Sequence, residues 1–159
     1  MAHASLNVAN NVTLIPPYDF SGSVQFNTYA KVASGPLDET NIAQLDAITC
    51  SDDQQAELRF KWTQNGSLFA MLSGCTWQLD CFLERVGPNL GLVSKSLSIP
   101  FTPGVGIAYE QAVIIPANDC PQGLYRIAVR MMLVNIGALG NETPVIGFAD
   151  LGLIQYIDA

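Results

Sequence analysis

From Cys75 to Leu83 the chain alternates: Cys75, Trp77, Leu79, Cys81 and Leu83 are apolar, and Thr76, Gln78 and Asp80 fall between them. A period of two is the period of a strand, because successive side chains leave a pleated backbone on opposite faces. Phe82 is the one departure, an aromatic ring on the polar side. The same alternation runs through Val24, Phe26, Thr28, Ala30 and Val32, and through Ala56, Leu58, Phe60 and Trp62 with Glu57, Arg59, Lys61 and Thr63 opposite. It recurs in Val93 to Phe101, Val105 to Ile115 and Tyr125 to Leu133, each bounded by Gly, Pro or Asn. Asn65-Gly66 is the strongest short-range hairpin signal in the chain, and two-residue hairpin register sets Trp62 beside Phe69 and Phe60 beside Met71.

That register leaves Leu68, Ala70 and Leu72 on the face shared with Arg59 and Lys61, an unusual apolar row for a solvated side. Val145 to Ile157 is apolar on both faces apart from Asp150 and Gln155, as in a strand covered on two sides. Residues 1–10 are small and polar and read as an extended arm, a kind of segment that pairs with a neighbour's sheet edge. Asn11 to Ile15 reads as a short strand stopped by Pro16-Pro17. Ile42, Leu45 and Ile48 recur at three-residue spacing after Thr40, so at most one short helix is expected near 40–48. The expected fold is all-β: an antiparallel two-sheet β-sandwich of Greek-key or jelly-roll order with about nine strands, an arm at 1–10 and a single domain over 11–159.

At 159 residues the chain is long enough for one core that buries roughly 70% of its unfolded surface without a metal or disulfide. Only 13% of residues are charged, against a usual ~25%, a thin polar coat that favours surfaces completed by a partner. Seven basic residues face fourteen acidic ones for a net charge of −7, and the basic ones are spread out, which disfavours nucleic acid and anionic membranes. No apolar run approaches the ~18 residues of a spanning helix. Met1 to Asn7 lacks the basic start and apolar run of a signal peptide, so the location expected on that ground is cytoplasmic.

Histidine occurs once, at His3, which leaves Ser-His and Cys-His nucleophile pairs and His-based metal sites without material. Cys75 and Cys81 share one strand face about 20 Å apart and cannot bridge each other. Cys50 and Cys120 sit in turn-like text where a disulfide can close two loops, although a chain without a leader is expected to keep four free thiols. Asp80 and Glu84 lie about 13 Å apart along one strand, too far for a glycosidase pair, and read as solvated surface charges. Gly104-Val-Gly106 is no phosphate loop. The sequons at Asn11, Asn65 and Asn141 are of a kind that arises often by chance.

Two function classes remain. The preferred expectation is a non-enzymatic structural or protein-interaction module without cofactor, a subunit of a homomeric or larger assembly, with Leu68, Ala70, Leu72 and Phe82 as interface candidates. The alternative is a lectin-like, carbohydrate- or calcium-dependent domain with a loop site of Tyr18, Phe20, Asp52, Asp53, Asn118 and Asp119.

Overall fold

The computed structural model describes residues 3–5, 7–10, 20–29, 47–88, 91–134 and 145–158. Every regular element among them is a strand except one 3-10 turn: β1 (His3–Ser5), β2 (Asn7–Asn10), β3 (Phe20–Tyr29), β4 (Ala47–Ser51), β5 (Gln55–Gln64), β6 (Thr76–Val86), β7 (Leu92–Pro100), β8 (Ile107–Ile115), β9 (Gly123–Val134) and β10 (Val145–Ile157). Eight of these have five residues or more, against the nine expected, and β1 and β2 are short additions.

The strands form two sheets. Four of them order as β1-β3-β5-β8, all antiparallel, and six belong to the other, β2-β10-β9-β6-β7 with β4 lying parallel to β10. The described strands change sheet after each of β1 to β5, after β7 and again after β8. The N-terminal segments pair within the chain itself, β1 on β3 and β2 on β10.

Alternation in the sequence becomes one shared core. Leu58, Phe60 and Trp62 of β5, Trp77, Leu79, Cys81 and Leu83 of β6, and Ile127, Val129, Met131 and Leu133 of β9 are all buried. Trp77 joins the two sheets: its ring lies 5.4 Å from Phe20, 5.9 Å from Trp62 and 6.3 Å from Tyr109, at edge-on angles, while Trp62 stacks on Tyr109 at 4.9 Å. These are the offset and T-shaped geometries that aromatic quadrupoles favour.

Asn65-Gly66 does not make the expected hairpin. Neither residue has positive φ, which a type I′ turn requires at both central positions. The chain enters a 3-10 turn, Ser67–Ala70, with the Phe69 N–H donating to the Gly66 carbonyl at 3.2 Å. β5 instead has β3 and β8 as its neighbours, so Trp62 faces Tyr109 and Phe60 faces Gln111 in place of Phe69 and Met71. Buried Gln64 explains why a longer-range partner wins. Its amide donates to the carbonyls of Thr102 and Gly104, each at 2.7 Å, and its side-chain oxygen accepts from Tyr109 at 2.9 Å. The loop after β7 is thus fastened where the hairpin partner would lie.

Three further expectations change. The proposed helix near 40–48 falls largely outside the described residues, and Ala47 and Ile48 open β4. Asn11 to Ile15 lies outside them too. β10 buries one face only: Ala149, Ile154 and Tyr156 point inward, while Phe148, Leu153 and Ile157 are exposed. The parity flips at a bulge between Asp150 and Gly152, where Gly152 takes φ +83° and its N–H binds the Asp150 carboxylate at 2.8 Å. One inserted residue turns odd-inward into even-inward, and a strand with one buried face then reads as apolar on both.

Candidate binding face

The outer face of the six-stranded sheet carries the most developed surface among the described residues. Strand register lays it out in rows across β7, β6, β9 and β10: Leu92, Glu84, Arg126, Leu153; then Ser94, Phe82, Ala128, Asp150; then Ser96, Asp80, Arg130, Phe148. Ala128 is small where its neighbours are large. The rows therefore sink into a groove of about 780 Å³ lined by Phe82, Glu84, Arg85, Gly91, Leu92, Arg126, Ala128 and Asp150.

Ion pairs hold the walls. Arg126 forks onto Asp150, whose carboxyl is held below the ordinary carboxylate range chiefly by that contact and next by the Gly152 N–H. Arg130 donates to Asp80 through Nε at 3.1 Å and Nη2 at 2.8 Å and lies 5.6 Å over the Phe82 ring, a cation–π geometry.

Asp80 corrects the expectation of a solvated charge, being only 3% exposed. Burial pushes its pKa up. Hydrogen bonds from Ser96 at 2.7 Å, from Arg130 and from Gln78 at 3.1 Å, with the Arg130 charge, outweigh burial and leave it lowered. The opposite sheet repeats the device: buried Glu57 accepts from Asn27 at 3.0 Å and from Arg59 at 2.9 Å.

Charge is shared out unevenly over the molecule. Around the groove Asp80, Glu84 and Asp150 match Arg85, Arg126 and Arg130, and on the other sheet Glu57 and Glu110 match Arg59 and Lys61. The net charge of −7 therefore lies elsewhere, in residues such as Asp52, Asp53 and Asp158. Between the matched charges stand exposed Phe148 (51%), Leu92 (62%) and Val86 (48%).

Of the interface candidates, Phe82 lies on this face, half-buried beneath Arg130. Leu68, Ala70 and Leu72 do not form a strand row, because the first two belong to the 3-10 turn. Ala70 is exposed, and Leu72 is half-buried and packs against the core. The side chain of Leu68 lies outside the described residues.

The loop candidates separate. The Asn118 N–H donates to the Asp52 carbonyl at 2.7 Å, which brings Asp52, Asp53, Asn118 and Asp119 to one end of the fold. Asp53 there accepts from Ser51, and Asp119 pairs with Lys95. Phe20 is no loop residue. It opens β3 opposite Gln64, is 1% exposed, and stands a β5 length, about 30 Å, from that loop cluster. Tyr18 lies outside the described residues. No group of three or more His, Cys, Asp or Glu side chains able to hold a metal occurs among the described residues, and their four cysteines are unpaired. No helix there is long and apolar enough to cross a membrane.

The groove was missed in the sequence because it depends on which strands are neighbours. Phe82 on a polar face was its one legible sign. No protein-family model matches the chain, and no curated protein matches its sequence.

Proposed function

We propose that the protein is a non-enzymatic structural or interaction module, a β-sandwich of Greek-key or jelly-roll order that works as a subunit of a homomeric or larger assembly. One observation carries this reading: the outer face of the six-stranded sheet combines exposed Phe148, Leu92, Leu153 and Val86 with internally matched charges. A protein surface of that kind is suited to a second copy. Two chains of charge −7 repel at long range, and a face whose charges cancel locally is where contact costs least. An exposed phenylalanine, Phe148, beside Arg130 is also a pairing of residue types enriched at interfaces. Light scattering at micromolar concentration tests it. Assembly is expected, and a clean monomer of 17.1 kDa would overturn it.

A second reading rests on the Asn118–Asp52 contact, which gathers four oxygen-bearing residues in two adjoining loops. It makes the protein a carbohydrate-binding domain, since Asp52, Asp53 and Asp119 form no metal-holding group. Its test is a glycan array: selective binding that is lost in Asp52→Ala supports it, and no binding removes it.

A further inference from the structure

Cys50, Cys120 and Tyr156 converge at one end of the core, and the binding face uses none of them. β4 runs parallel to β10 with Cys50 directly opposite Tyr156. Adjacent strands lie ~4.8 Å apart, and both side chains are almost fully buried, so both stand on the core side. The loop after β8 returns to the same place. Its Asn118 N–H holds the Asp52 carbonyl, two residues beyond Cys50, and Cys120 follows two residues later, also buried. The far side of that loop is fixed by the Tyr125 hydroxyl, which donates to the Pro121 carbonyl at 2.7 Å while its ring packs edge-on against Tyr156 at 5.5 Å. The Tyr156 hydroxyl is buried without a hydrogen-bond partner of ordinary geometry and faces both thiols. One buried hydroxyl facing both thiols places Cys50 and Cys120 in the same small region of the core, where the Cys50 thiol also donates to the Ser51 carbonyl at 3.4 Å.

We propose that Cys50 and Cys120 are a disulfide-forming pair, joined by a small-molecule disulfide such as oxidised glutathione into a covalent tie between β4 and the loop at 116–122. One cysteine thiolate attacks the small disulfide and displaces one glutathione thiolate. The second attacks the resulting mixed disulfide at the protein sulfur and displaces the other. Two protein S–H bonds and one glutathione S–S bond are lost, one protein S–S bond forms, and the two protons end on the released glutathione thiols.

The pocket favours this product over a metal bis-thiolate. Burial pushes the Cys50 thiol up to about 12 and the Cys120 thiol up to about 11, so charged sulfurs are disfavoured there, whereas a disulfide carries no charge. The same burial slows exchange in the folded state, and the bond therefore forms in the folding chain or on local opening of the loop. Cys81 is a poor competitor, lying opposite Val129 and four residues along β9 from Tyr125, roughly 13 Å away.

The test is to unfold the full chain in urea, refold it in mixed reduced and oxidised glutathione, quench, and map the bridges by mass spectrometry. A Cys50–Cys120 bridge is expected, with a mass loss of about 2 Da and two titratable thiols remaining of four. Closing a loop of about 70 residues should raise the melting midpoint by about 10 °C over the reduced protein. The bridge should persist in a Cys75→Ser/Cys81→Ser double variant and vanish in Cys120→Ser. If refolding fails, long incubation of the folded protein with oxidised glutathione is mapped in the same way. Four free thiols, or a bridge to Cys75 or Cys81, would overturn the proposal.

Discussion

Asp80→Asn keeps the shape of the side chain and removes its charge. In the native protein one carboxylate oxygen accepts from Ser96 at 2.7 Å and Gln78 at 3.1 Å, and the other takes both contacts from Arg130. An asparagine must turn its NH₂ toward one of these donor sets, so at least one pairing becomes donor against donor. Hydrogen bonds to a charged group contribute about 1.5–3 kcal/mol each. The Arg130 side chain is 44% exposed, and water recovers part of what it loses. The net cost worked from these contacts is about 2 kcal/mol at pH 7, a urea midpoint lower by about 1 M. The native pKa of Asp80 is lowered, so its contribution is fully present above the unfolded carboxyl value of ~3.9 and is lost as pH falls through the lower folded value. Urea melts of both proteins at pH 7 and pH 3 read this directly: the gap should be open at pH 7 and narrowed at pH 3. A midpoint unchanged at pH 7 would show that Asp80 is solvated and that the Arg130 pairing does not hold the groove wall.

Trp77→Ala should cost about 3–5 kcal/mol in chemical denaturation, because the ring is fully buried and meets Phe20, Trp62, Phe69 and Tyr109; a loss below ~1 kcal/mol would contradict its place between the sheets. Asn65→Ala removes one exposed bond to Ser21 at 3.2 Å and should shift stability by less than ~0.5 kcal/mol, whereas a type I′ hairpin would lose ~1 kcal/mol or more. Gly152→Ala places a side chain at φ +83° and should destabilise by about 1–2 kcal/mol in the same assay, with no change expected only if the β10 bulge is absent.

The all-β class and the strands at 55–64, 76–86, 92–100, 123–134 and 145–157 were legible because strand faces carry their burial as a period of two, and Trp77, Leu79, Cys81 and Leu83 are buried as that period requires. Pairing was not legible. Asn65-Gly66 offers a local turn, but Gln64 gains hydrogen bonds from residues about forty positions away, and no local pattern carries that competition. The binding face escaped for the same reason. Asp80 and Arg130 are fifty residues apart, and Asp80 looks like any polar-face carboxylate until β6 and β9 are placed side by side. Phe20 was misplaced because the Pro-rich text before it suggests a loop, while its ring is recruited by Trp77 across the sheets.

The central claim is that the outer face of the six-stranded sheet receives a second copy of the chain, and light scattering on the native protein beside Phe148→Glu tests it most directly. Phe148 is 51% exposed opposite Arg130, so a monomer should tolerate the new carboxylate, whereas in an interface it would be buried beside an arginine whose charge Asp80 already matches. The account predicts a native mass that is a multiple of 17.1 kDa and a folded variant that falls toward the single-chain mass. A native protein that stays monomeric at micromolar concentration, or a Phe148→Glu protein that assembles as the native one does, would contradict it.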